Sequence, residues 1–170
     1  MKANRILEAA LALMLGLFVV ALYTSLRDNA VKVGDTAPDF SIKTDHGRTI
    51  TARDFGGKLL VLNFWATWCP PCIHEVPSLN ELQRQLGPKG LVVLGVSQDE
   101  NEKDYRDFLA RFQVSYLTAR QPDAAIRNLY GTIQIPETYL IDSKGKVVEK
   151  VVSETDWASP QMVEHVQSML

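Results

Sequence analysis

Leu59-Leu60-Val61-Leu62-Asn63-Phe64-Trp65-Ala66-Thr67-Trp68-Cys69-Pro70-Pro71-Cys72 decides the fold of this 170-residue chain. The apolar run after Gly56-Gly57-Lys58 reads as a central strand buried on both faces. A Cys-x-x-Cys pair closes it, and a helical pattern opens at once. Val76, Leu79, Leu82 and Leu86 recur at helical spacing until Gly87-Pro88 stops them. Prolines at the first helical positions lose no hydrogen bond, whereas Pro77, inside the pattern, predicts a kink. Cysteines two residues apart at a strand-to-helix junction suit the movement of electrons between thiols and disulfides. They are the only two cysteines in the chain, so the pair acts without a third protein thiol. A bridge across so short a loop stabilises a fold by only about 2 kcal/mol, against about 5 for a long loop. The pair is a poor staple, and its chemistry is the reason to look at it.

Outward from this core, alternation around Asp45-His46-Gly47 predicts an N-terminal hairpin from residues 39–42 and 48–51. Residues 91–96 read as the next buried strand. Tyr105, Phe108, Leu109 and Phe112 form one apolar stripe, so residues 102–112 are an amphipathic helix. A short strand near 115–118, a helix over 123–130, a second hairpin (138–142 and 146–152) and a closing helix over 159–170 complete the pattern. Strands alternating with helices and ending in a hairpin imply an α/β domain over residues 35–170, with a mixed sheet and helices on both faces. Residues 27–34 read as a polar linker.

The first 26 residues are different material. Lys2 and Arg5 precede an apolar stretch, residues 9–23, without charge or proline. Extended from Ile6 to Leu26 it is long enough for the roughly 30 Å hydrocarbon core. This predicts an N-terminal transmembrane signal-anchor, single-pass, with a cytoplasmic N-terminus and the domain on the periplasmic or extracytoplasmic side of the inner membrane. A cleaved signal peptide is the other reading; Val19 and Ala21 make a poor small-x-small site. Either reading places the cysteines where stable disulfides are permitted. Net charge is −2 and no Lys/Arg cluster is present, which leaves nucleic-acid binding without electrostatic support.

Cys69 falls at the first turn of its helix, where free N–H groups and the dipole stabilise a thiolate; it is the expected exposed nucleophile. Cys72, one turn inward, is placed to resolve a mixed disulfide. Zinc needs about four ligands and the sequence offers no second cluster, so neither metal nor cofactor is expected.

With these residues assembled, the sequence resembles the thioredoxin-fold proteins, and among them the membrane-anchored TlpA/ResA/CcmG-like thiol–disulfide oxidoreductases. The resemblance rests on Val33-Gly34-Asp35-Thr36-Ala37-Pro38-Asp39-Phe40, on Asn63 through Cys72, on Pro77, and on Ile135-Pro136-Glu137-Thr138-Tyr139-Leu140-Ile141-Asp142. It implies a thioredoxin-like fold with a central strand–helix insertion supplied by residues 102–118. It also implies that Pro136 is a cis-proline opposite the cysteines, presenting the backbone of Ile135 to an extended partner segment; from the residues alone, a trans proline opening a strand is the simpler reading. Asn63 stands where thioredoxin itself has a proton-transferring aspartate. A carboxylate must then act elsewhere, and Glu75, three residues after Cys72, is the better candidate, with Glu137 the weaker. Trp68, Pro70 and Pro71 are expected to meet partners, Trp65 to pack beneath the site, and His74 to be a surface residue. The implied partners are protein thiols and disulfides, apocytochrome c among them, and a membrane electron donor of the DsbD/CcdA type. Two other functions compete: a peroxiredoxin-type peroxidase, for which Thr67 stands two residues before Cys69 rather than three and Leu62 occupies the place of the expected proline, and a non-enzymatic copper chaperone.

Overall fold

The computed structural model describes residues 11–21 and 30–170. Residues 11–21 form helix α1, whose side chains are all exposed although they are apolar, Leu11 through Val20 included. Among the described residues no helix is long and apolar enough to cross a membrane. The expected span over residues 1–26 lies partly outside the described residues. From Val31 onward the chain packs on the domain: Val31 is buried and its N–H donates to Tyr130 O, and Gly34 N–H donates to Val147 O.

Strands β1 (Ser41–Lys43) and β2 (Thr49–Thr51) form the N-terminal hairpin. The main sheet contains β3 (Leu59–Trp65), β4 (Leu91–Ser97), β5 (Leu117–Arg120), β6 (Glu137–Ile141) and β7 (Val147–Val152). Their spatial order is β5-β4-β3-β6-β7. β3, β4 and β5 run parallel, while β6 and β7 are antiparallel to their neighbours. Helices α2 (Pro70–Leu86), α3 (Glu102–Arg111), α4 (Ala125–Leu129) and α5 (Pro160–Gln167) flank it. The unit expected over 102–118 is α3 followed by the edge strand β5.

All seven residues of β3 are buried, and the two-residue period of a strand sorts them. Leu60, Leu62 and Phe64 join the core under the hairpin and α4, with Ile42, Ile126, Tyr130 and Tyr139. Leu59 and Val61 face Leu79, Leu82 and Leu86 of α2, Val166 of α5 and Trp157. Trp65, on that same face, packs with both cysteines, Val76, Tyr105 and Phe108. The central strand therefore ends in a layer that is apolar on the side where the cysteines sit.

Where the structure departs from the sequence pattern, side chains have captured backbone groups. Ser115 gives both its N–H and its hydroxyl to Asn80 Oδ1 on α2, each at 2.8 Å, so β5 begins two residues late, at Leu117. Asp123 Oδ1 accepts from Ala125 N–H and Ala124 is left-handed, which trims α4 to Ala125–Leu129. After α5, Ser168 N–H is shared between Glu164 O and His165 O, and the last two residues turn away on i−3 bonds. Helix α2 runs through exposed Pro77 in one piece.

Gly95, opposite Asn63 on β4, supports this layer. A Cβ there would lie 2.9 Å from Trp65 Nε1 and 3.0 Å from a ring carbon of Tyr116. Both rings are buried, so neither can withdraw. Gly95→Ala is expected to cost roughly 1–3 kcal/mol by overpacking, read as a lower urea midpoint at unchanged slope; a midpoint equal to wild type would show that the rings can shift.

Candidate active site

Cys69 is the N-cap of α2, with extended backbone (φ −103°, ψ 99°), and Pro70 and Pro71 occupy the first two helical positions. Neither proline has an N–H, so the first amide the helix can offer is that of Cys72. It donates to Cys69 Sγ at 3.3 Å. The two cysteines are joined as a disulfide. When the bridge opens, the same N–H and the helix dipole remain aimed at Cys69 Sγ, which favours its thiolate.

The Ile135–Pro136 peptide bond is cis. The carbonyl oxygen of Ile135 lies 3.8 Å from Cys69 Sγ, so a thiol there has an acceptor. Pro136 is buried and Ile135 half-buried. Cys69 differs from its expectation: it is 5 % exposed, little more than Cys72 at 2 %. Trp65, Val76 and half-buried Ile135 pack around the pair. Trp68 does not shield it, being 65 % exposed and standing out beside exposed Pro70. His74 is on the surface, 3.1 Å from Glu154.

Glu75 sits one turn beyond Cys72 on α2, 1 % exposed. Its Oε1 accepts from Thr155 N–H (2.8 Å) and Trp157 Nε1–H (3.1 Å); Oε2 accepts from Asn63 Nδ2 at 3.4 Å. Asn63 also donates to Thr138 Oγ1 at 2.9 Å. Burial pushes the Glu75 carboxyl up to about 7, against the pull of those three donors. Its position beside Asn63 follows from strand alternation, which turns Asn63 to the α2 side with Val61 and Trp65.

Glu137 lies elsewhere. It is in register with Phe64, on the opposite face of the sheet from Asn63. Its Oε1 accepts from Thr132 Oγ1 (2.6 Å), from the Tyr139 hydroxyl and from Lys150 Nζ (3.1 Å). The structure thus brings Glu75, not Glu137, together with Asn63 on the cysteine side. Thr138, Thr155 and Trp157 complete the Glu75 pocket; Thr138 belongs to the quoted segment after Pro136, whereas Thr155 and Trp157 carry no sequence signal. Among the described residues no group of three or more His, Cys, Asp or Glu is placed to hold a metal ion.

A strand-end disulfide on a helix N-terminus, an adjacent cis-proline and a buried titratable carboxyl together form a dithiol–disulfide centre. The chain's relatives have the same character. The AhpC/TSA family profile matches residues 33–150. The thiol–disulfide oxidoreductase ResA of Bacillus thuringiensis subsp. konkukian is 32% identical over 158 residues, 91% of each chain. ResA of Geobacillus thermodenitrificans is 36% identical over 140 residues, covering 82% of this chain and 79% of that one. Among solved structures, the thioredoxin domain of a thiol–disulfide oxidoreductase from Bacteroides vulgatus superposes with a TM-score of 0.72 at 25% identity, covering 82% of this chain and 98% of that one. A thioredoxin-family thiol:disulfide interchange protein from Chlorobium tepidum TLS gives 0.67 at 26% identity, covering 81% and 99%. The chain belongs to the AhpC/TSA family and is a thioredoxin-like thiol–disulfide oxidoreductase acting on protein thiols and disulfides.

Proposed function

We propose that this oxidoreductase is held at the cytoplasmic membrane by its N-terminal segment and works as a reductant on the extracytoplasmic side, with apocytochrome c as a principal partner. The Cys69 thiolate attacks a partner disulfide, forms a mixed disulfide and expels one partner thiolate. Cys72 then gives up its proton and attacks Cys69 Sγ. The partner leaves with both its sulfurs reduced, and two electrons have passed from the Cys69/Cys72 dithiol, which becomes the disulfide. A membrane dithiol donor of the DsbD/CcdA type restores the pair by the same exchange in reverse.

The observation that carries this reading is the Glu75 pocket. Cys72 is buried and must lose a proton as it attacks. Glu75, one turn away and pushed up to about 7, is part ionised at neutral pH and can accept that proton and return it. Asn63 cannot titrate; its amide orients the carboxyl. The exposed apolar side chains of α1 and the basic Lys2 and Arg5 ahead of it support the tether. Thr67, whose hydroxyl is given to Asp99, offers nothing to a peroxidase reading.

Two measurements test it. The full-length protein, equilibrated with glutathione or dithiothreitol, is expected to show a potential nearer thioredoxin's, about −270 mV, than DsbA's, about −120 mV. A DsbA-like value overturns the reductant assignment. Cells lacking the protein are expected to lose covalent haem staining of c-type cytochromes and to regain it with added reducing thiol; undiminished staining removes apocytochrome c as a partner.

A further inference from the structure

Asp99 is a buried acid that the exchange mechanism does not use. It stands two residues past the end of β4 and is 2 % exposed. Every donor on its carboxylate is a neutral group. Thr67 N–H lies 3.2 and 3.1 Å from its two oxygens, and Thr67 Oγ1–H donates to Oδ1 at 2.5 Å. Ser97 Oγ–H donates to Oδ2 at 2.6 Å, and Asp99's own N–H donates to Ser97 Oγ at 3.0 Å. Arg120 Nη1 fixes the backbone on either side, at Asp99 O (3.3 Å) and Glu100 O (3.0 Å). Its other terminal nitrogen goes to Glu102.

Thr67 belongs to the turn that joins β3 to Cys69. Apolar packing does little for that turn: Thr67 is half-buried and Trp68 points into solvent. The turn's other ties are backbone bonds, Gln98 N–H to Trp65 O and Cys69 N–H to Ala66 O. Asp99 is the side chain that grips its middle, two residues from the reactive sulfur. An ionised carboxylate on Thr67, two residues before Cys69 in the chain, also opposes thiolate formation, as a nearby like charge does.

We infer that Asp99 is a positioning residue for the redox centre: through Thr67 it holds the Cys69 turn in its attacking geometry, and its charge restrains ionisation of Cys69. The two effects oppose each other in rate. The clamp speeds exchange by pre-orienting the sulfur, while the charge limits the thiolate fraction and so keeps the reduced pair from being over-stabilised. The inference rests on the reading of Cys69 as nucleophile.

The test uses full-length protein, with the alkylated cysteine identified by mass spectrometry. Asp99→Asn is expected to lower the apparent pKa of Cys69 in the pH profile of alkylation and to move the glutathione equilibrium toward the dithiol, roughly three- to tenfold. Thr67→Val keeps the charge but loses the hydroxyl; it should slow exchange with a protein disulfide several-fold, and Thr67→Ser should restore it. A Cys69 profile in Asp99→Asn equal to wild type's overturns the inference, as does exchange in Thr67→Val as fast as in Thr67→Ser. If Asp99→Asn does not fold, the Thr67 pair decides. Label arriving first at Cys72 overturns the nucleophile reading and the Asp99 inference with it, whereas label on Cys69 with an unshifted profile overturns the Asp99 inference and leaves the nucleophile reading standing.

Discussion

Cys72→Ser is expected to halt turnover and to leave the protein covalently joined to its partner through Cys69. In the wild type the resolving sulfur is part of the same helix turn, with its Cα 5.3 Å from that of Cys69. Its attack is intramolecular, and well-oriented intramolecular reactions reach effective molarities of roughly 10⁵ M. A free thiol at millimolar concentration cannot match that, so release should slow by on the order of a thousandfold or more. Serine preserves the backbone N–H that contacts Cys69 Sγ, so the nucleophile keeps its activation. Cys69→Ser should capture nothing, because Cys72 is 2 % exposed and lies within the helix, whereas Cys69 is its N-cap. Non-reducing electrophoresis with a disulfide-containing protein reads both outcomes. Stable adducts in Cys69→Ser, and none in Cys72→Ser, would exchange the two roles.

Glu75→Gln should erase a large part of the protein's pH dependence. The carboxyl ionises near 4.5 in an unfolded chain and near 7 in the pocket, because burial opposes its charge. A folded-state value raised above the unfolded one means that the native protein binds the proton more tightly. The contribution to stability is therefore full below pH 4.5 and is lost as pH rises through about 7. The gap corresponds to about 3 kcal/mol between pH 4 and pH 8. In the Gln variant that slope disappears. Its amide oxygen still accepts from Thr155 and Trp157, and its NH₂ meets Asn63 only at the longest of the three contacts, 3.4 Å. Urea unfolding at the two pH values measures the difference. The inflection near pH 7 in the rate of disulfide resolution should vanish as well. A variant that kept both would show that Glu75 is not the titrating group.

Much of this architecture is written locally. β3 announces itself as an apolar run, and Asn63 shows within it as a polar residue with no local partner. The N-cap position of Cys69 follows from the two prolines after it. What stays hidden depends on register and on distant segments. Glu137 borders Pro136 and so looks adjacent to the cysteines, yet strand alternation turns it to the far face; only its pairing with Phe64 reveals this. The near-complete burial of Cys69 requires Ile135, brought from 66 residues away. Asp99 looks like one more acid in the polar loop Gln98-Asp99-Glu100 until β4 carries it to Thr67.

The partners of Glu75 have a consequence in time. Thr155 and Trp157 follow it by 80 and 82 residues. A ribosome adding roughly 5–20 residues per second needs about ten seconds to cover that distance. For that interval the nascent chain carries both sulfurs without the pocket that governs their protons. Synthesis thus delivers a reactive dithiol before its control exists, and a newly made molecule is open to capture by any oxidant or thiol it meets until Thr155 and Trp157 have been added.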